Sequence, residues 1–163
     1  MNLILCGFMG CGKTTVGKVL AEKLGRTFMD TDTLIEERAG IRISEIFDRE
    51  GEAHFRDLEH QACVLLSEQD NLVISTGGGA LTYERNARAL KKNGAVIFLD
   101  VPFDIIVKRI GGDAGRPLFR SEPDARALYE HRYSLYKKNA GYTVDASGTP
   151  GDTANEIIKN ILK

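Results

Sequence analysis

Short apolar runs alternate with longer stretches of helical periodicity along this chain, in the order strand, helix, strand. The candidate strands are Leu3–Cys6, Thr27–Asp30, Leu72–Ser75, Ala95–Leu99 and Tyr142–Asp145. Between the first two, Lys13–Leu24 places Val16, Leu20 and Leu24 on one helical face, and Gly25 is its stop signal. Glu52–Gln69 carries Phe55, Leu58, Ala62 and Leu65 at helical spacing, and Tyr83–Asn93 ends at Gly94. Ser121–Asn139 opens on a Ser-Glu-Pro-Asp cap, and Thr153–Leu162 closes the chain. Uninterrupted apolar strands alternating with helices predict an α/β domain whose mainly parallel sheet is covered on both faces.

One stretch has no period. Gly111–Phe119 reads Gly-Gly-Asp-Ala-Gly-Arg-Pro-Leu-Phe, either a plain connector between helices or a mobile lid.

Composition narrows the picture further. The 163 residues fit one domain, and 42% hydrophobic content supplies a core. Lys plus Arg number 22 against 23 Asp plus Glu, so a net charge of −1 gives no global reason to expect nucleic acid or membrane-surface binding. No apolar run approaches the roughly 20 residues of a membrane span, and the N-terminus lacks a basic leader region. Cys6, Cys11 and Cys63 are too few and too irregular for a disulfide framework or a zinc site, which points to a reducing cytoplasm.

The strongest chemical signal is Gly7-Phe8-Met9-Gly10-Cys11-Gly12-Lys13-Thr14, a G-x-x-x-x-G-K-[ST] loop between a predicted strand and a predicted helix. Its glycines let backbone N–H groups turn around phosphate oxygens, and the helix N-terminus adds its positive end. Lys13 is positioned for the β- and γ-phosphates and Thr14 for Mg²⁺. A random chain of this length shows the pattern on the order of once in a hundred.

Three further features fall at the carboxyl ends of strands, where open parallel sheets bind ligands. Asp30-Thr31-Asp32 reads as an extended segment with two carboxylates on one side, one for the waters around Mg²⁺ and one for an acceptor hydroxyl. Asp32 could instead only cap a helix over Thr33–Ala39. Gly77-Gly78-Gly79 offers bare backbone for close approach of a ligand, or a flexible turn. Asp100, ending Val96-Ile97-Phe98-Leu99, is a second metal-binding element or, more simply, the end of a buried strand.

Arg132 shares a helix face with Leu128 and Tyr136, and Arg56 flanks the stripe of Phe55 and Leu58. Taken singly, either arginine reads as a structural ion pair. Together with Asp32 they fit a small hydroxylated carboxylic acid, guanidinium forks for the carboxylate and Asp32 for hydroxyls.

The motifs Gly-Phe-Met-Gly-Cys-Gly-Lys-Thr-Thr, Phe-Met-Asp-Thr-Asp, Gly-Glu-Ala-His-Phe-Arg-Asp-Leu-Glu, Ser-Thr-Gly-Gly-Gly-Ala, Gly-Arg-Pro-Leu and Glu-His-Arg-Tyr-Ser-Leu-Tyr occur in this order over nearly the whole chain. In this the sequence resembles the shikimate kinases. The resemblance implies a three-layer P-loop kinase fold, similar to nucleoside monophosphate kinases, with a central five-stranded parallel sheet flanked by helices and a mobile lid. It implies one domain over 1–163, with the phosphate loop at 7–14, a substrate-binding region at about 31–60 and the lid at about 111–121.

The implied reaction is ATP-dependent phosphorylation of the shikimate 3-hydroxyl, in the chorismate route to aromatic amino acids. The resemblance puts Asp32, Arg56, Gly77, Gly78, Gly79 and Arg132 around shikimate. It puts Gly10, Cys11, Gly12, Lys13, Thr14 and Thr15 on the ATP phosphates, with Thr14 and Asp30 near Mg²⁺. Lys13, Arg116 and Asp32 become the catalytic set, Arg116 on the lid. Arg109 stacks on adenine and 147–151, including Pro150, passes behind it. The expected partners are ATP and shikimate, with no nucleic acid and no membrane, in a cytoplasmic monomer. Gluconate kinases, nucleoside monophosphate kinases and an acceptor-free NTPase or ATP sensor are the rivals. Cys63 departs from the aliphatic residue expected there, and Cys11 raises an expectation of thiol-reagent sensitivity.

Overall fold

The computed structural model describes residues 1–110 and 122–162. Five strands form one parallel sheet: β1 (Asn2–Cys6), β2 (Thr27–Asp30), β3 (Leu72–Ser75), β4 (Gly94–Asp100) and β5 (Tyr142–Asp145). Their spatial order is β2-β3-β1-β4-β5, with β1 between β3 and β4 in register Leu3 to Val73 and Ala95. Every residue of β1 and β3 is buried, on both alternating faces. A strand can hide both faces only under helices on each side, so the sheet is the middle of three layers.

The helices are α1 (Lys13–Leu24), α2 (Thr31–Ala39), α3 (Ile43–Ser67), α4 (Glu84–Lys91), α5 (Phe103–Ile110), α6 (Glu122–Asn139) and α7 (Pro150–Ile161). α1 packs on α7 and against β1–β3, while α4 and α6 lie against β4. No helix among the described residues is long and apolar enough to cross a membrane.

Three helix starts differ from the sequence reading for identifiable local reasons. α3 begins at Ile43, ahead of the expected Glu52, and breaks at Gly51, whose φ of 84° and ψ of 171° no helical residue adopts. α2 begins at Thr31, and its N-cap is Asp30, which accepts from the Thr33 N–H at 3.1 Å. Asp32 therefore sits in the first turn of the helix; it is neither its cap nor part of an extended pair with Asp30. α7 begins at Pro150, because Thr149 caps it through the Asp152 N–H and proline suits the first helical position. α6 is described from Glu122, so the Ser121 cap, like the expected lid, lies outside the described residues.

Two cores result. The main one surrounds the sheet; a smaller one, Ile35, Ile46, Phe55 and Ala62 with Phe47 and Leu58 packed on it, ties α2 to α3. That second core holds the start of α2 and the middle of α3 over the carboxyl edge of the sheet. Cys63 is fully buried at the junction, so its exchange for an aliphatic residue concerns packing alone.

Candidate active site

A cleft of about 860 Å³ opens at the carboxyl ends of β1, β2 and β3. One end is the phosphate loop. Gly12 there has φ 95° and ψ 19°, a left-handed conformation that glycine adopts without strain, and it hands the chain directly into α1. Gly10, Cys11, Lys13, Thr14 and Thr15 join it on the cleft wall. Lys13 Nζ donates to the Gly7 carbonyl at 2.5 Å, so the amine lies back over the loop it follows. The Cys11 side chain is 1% exposed, turned beneath the loop; a thiol reagent reaches it only if the loop opens.

Arg109, from the end of α5, closes this end. Its Nη1 donates to the carbonyls of Gly10 and Cys11 at 3.3 Å, and Nη2 to those of Ala146 at 3.0 Å and Ser147 at 3.3 Å. It thus joins the phosphate loop to the β5–α7 turn, beside Gly148 and Pro150 on the same wall.

The other end is built on Gly77–Gly79. A Cβ on Gly77 would stand 2.6 Å from Asp32 Oδ1, one on Gly78 3.2 Å from Arg132 Nη1, and one on Gly79 2.6 Å from Arg56 Nη1. None of the three glycines has a positive φ, so what fixes them as glycine is space. Each glycine seats one charged side chain, and the three come from α2, α6 and α3. Thr31 links the segments further by accepting from the Gly77 N–H at 2.9 Å.

Arg56 is held from several directions. Glu59, one helical turn on and 1% exposed, accepts from its Nη1 at 3.0 and 3.2 Å. The rings of Phe55 and Tyr83 both lie 5.2 Å from the guanidinium carbon. Its Nε is buried without a hydrogen bond, with a Glu52 carboxylate oxygen 3.8 Å away. Glu59, Ile43 and Phe47, none of them assigned to the site from the sequence, also line the cleft. The i,i+3 spacing of Arg56 and Glu59 was the signal available for the first of them.

Burial pushes the Asp32 carboxyl up to about 6, reinforced by the Asp30 carboxylate and opposed by the Lys13 ammonium. Asp30 lies on the cleft wall with one oxygen committed to its cap. Asp100, at the end of β4, accepts from the Tyr133 hydroxyl at 3.0 Å and is not on the cleft wall. Every site residue expected from the sequence lines this single cleft except Arg116, which lies outside the described residues.

The model of the family described as shikimate kinase matches residues 9–162. The chain belongs to the shikimate kinase family. A shikimate kinase from Sulfurihydrogenibium sp. (strain YO3AOP1) is 41% identical to it over 164 residues, covering 99% of this chain and 98% of the relative. A structure of shikimate kinase from Acinetobacter baumannii in complex with shikimate superposes with a TM-score of 0.89 at 41% identity, over 99% of this chain and 92% of that one. A gluconokinase from Sinorhizobium meliloti, at 17% identity and a TM-score of 0.60 over 97% of this chain and 89% of that one, shares the fold alone. Within the shikimate kinase family, then, this chain carries the phosphate loop and the glycine-seated charges in one cleft.

Proposed function

We propose that this chain transfers the γ-phosphoryl group of ATP to the 3-hydroxyl of shikimate, giving shikimate 3-phosphate and ADP, a step in aromatic amino-acid biosynthesis. The observation that carries the reading is the seating of Asp32, Arg132 and Arg56 on three consecutive glycines. Two guanidinium groups and one carboxylate in so small a space match a compact acid bearing hydroxyls, and bare backbone between them lets the ring approach closely.

The phosphates bind at the N-terminus of α1, where the loop N–H groups and the Lys13 ammonium face negative charge. Arg56 and Arg132 hold the acceptor carboxylate, and the apolar wall of Ile43, Phe47 and Phe55 takes the ring. Asp32 accepts a hydrogen bond from the hydroxyl that attacks, orienting it or taking its proton. With its carboxyl at about 6, it is ionised at neutral pH yet basic enough to share that proton. Lys13 stabilises charge on the phosphoryl group in flight, and Arg116 is assigned the same role by family resemblance.

Thr14 and Asp30 supply one hydroxyl and one carboxylate oxygen on the cleft wall. Among the described residues no three His, Cys, Asp or Glu side chains form a metal cage. So sparse a set of hard oxygen donors fits Mg²⁺ shared with phosphates and water. Thr14 and Asp30 would hold it, and it supplies charge neutralisation at the β- and γ-phosphates. Arg109 and 147–151 border the place of the nucleotide base. The buried, unpaired cysteines fit a reducing cytoplasm.

ADP release from Mg-ATP tests the reading, with shikimate, gluconate, a nucleoside monophosphate or no acceptor. Release that depends on shikimate is expected. Equal release in every tube identifies an NTPase and removes the acceptor site.

A further inference from the structure

The backbone of the glycine run is anchored residue by residue. The Gly77 N–H donates to Thr31 Oγ1 at 2.9 Å, and the Gly79 carbonyl accepts from Thr82 Oγ1 at 2.6 Å. The Ala80 carbonyl accepts from the buried Asn86 amide at 2.9 Å, and the Leu81 carbonyl from Asn139 Nδ2 at 2.7 Å. In the middle, the Gly78 carbonyl accepts from the hydroxyl of Tyr136.

Tyr136 differs from the other anchors in its position. It lies one helical turn after Arg132 on the same face of α6, and Arg132 is the side chain seated on Gly78. A single peptide unit is thus gripped from one helix by a phenol on its carbonyl while a guanidinium lies against its α-carbon. Tyr136 is 1% exposed, packed 5.4 Å from the Phe98 ring, and is not part of the cleft wall. Burial pushes its phenol well above the ordinary range, against the pull of the neighbouring Arg132 guanidinium, so the hydroxyl keeps its proton and stays a donor.

We infer that Tyr136 is a positioning residue of the acceptor site, its hydroxyl tying the Gly78 carbonyl to α6 so that the glycine run and Arg132 meet the acceptor in one register. A peptide is planar, so a fixed Gly78 carbonyl also fixes the direction of the Gly79 N–H. Without the tie, the glycine run can rotate relative to Arg132, because glycine backbone has no side chain to resist it. This rests on the function proposed above, since the acceptor is taken to be shikimate.

Tyr136→Phe removes the hydroxyl and keeps the ring against Phe98. Asn139→Leu is its control: it removes a buried hydrogen bond of the same kind on the same helix, farther from Arg132. For Tyr136→Phe, KM for shikimate should rise about tenfold, with KM for ATP within twofold and kcat reduced less than threefold. Asn139→Leu should leave KM for shikimate within twofold. An unchanged KM in Tyr136→Phe overturns the inference, as does an equal rise in both variants, which marks general loosening of α6. In unaltered protein, the Tyr136 hydroxyl proton should exchange slowly and show a nuclear Overhauser contact to the Gly78 α-protons; a freely exchanging proton overturns the inference even if the variant fails to fold. The wild-type protein in the same assay guards the reading beneath: no shikimate-dependent turnover there overturns both, whereas turnover there with an unresponsive Tyr136→Phe overturns this inference alone.

Discussion

Gly12 at one end of the cleft and Gly79 at the other are both required as glycine, for opposite reasons. In the phosphate loop, Gly12 is needed for its left-handed backbone; a Cβ there meets nothing closer than Val16 at 3.7 Å. In the acceptor end, Gly79 has ordinary angles, φ −96° and ψ −11°, and a Cβ would stand 2.6 Å from Arg56. The first end is a local conformation, written in eight consecutive residues. The second is a meeting place, where one run of backbone receives charged side chains from three helices. A loop that shapes itself can be carried between many enzymes; a floor that other elements must reach ties the acceptor to this particular packing.

Substitutions that act on one end and spare the other break or sharpen this contrast. The largest effect is expected from Asp32→Asn, which keeps the shape and removes the charge. Turnover should fall by about 10²- to 10⁴-fold in a steady-state assay while Mg-ATP binding is retained. The same substitution should stabilise the protein at neutral pH. The folded Asp32 carboxyl, at about 6, holds its proton more tightly than the unfolded one near 3.8. Its contribution to stability is therefore full below about pH 4 and is lost as pH rises through about 6. Denaturant unfolding at pH 7.5 should show Asp32→Asn more stable than wild type by on the order of 2 kcal/mol, with the gain fading at pH 4. In the wild type, kcat/KM should decline as pH falls through about 6.

Gly12→Ala comes next. Its left-handed backbone should cost about 1–2 kcal/mol of stability and weaken Mg-ATP, with shikimate binding intact, as read by unfolding and by titration calorimetry. The smallest effect belongs to Tyr83, 36% exposed and stacked on Arg56. Tyr83→Ala should raise KM for shikimate about threefold, and Tyr83→Phe, which keeps the ring, should leave it unchanged.

The same contrast governs what the sequence discloses. The phosphate loop is legible because its chemistry is contiguous, and the apolar strands are legible because each is buried on both faces. Arg132 could be placed inward because Leu128 and Tyr136 flank it at helical spacing, and Tyr136 is indeed buried. Strand-end position grouped Asp32 with the glycines, and inward arginines joined Asp32 as a fit for a hydroxylated acid; family resemblance then put all of them around one acceptor. The start of α3 was hidden because Gly51 interrupts the periodicity before Glu52. Asp30 and Asp32 were misread as an extended pair because the end of β2 and the start of α2 adjoin without a loop. Glu59 closes one of the quoted motifs yet received no role, because a glutamate on a charged helix reads as solvated; the structure buries it paired with Arg56.

Titration calorimetry of wild type and Gly79→Ala, each with shikimate and with Mg-ATP, tests the central claim most directly. The added methyl group should push the Arg56 guanidinium away, weakening shikimate by about tenfold or more and leaving Mg-ATP unchanged. Equal shikimate affinity in the two proteins would contradict the claim that the glycine run is the floor on which the acceptor site is assembled.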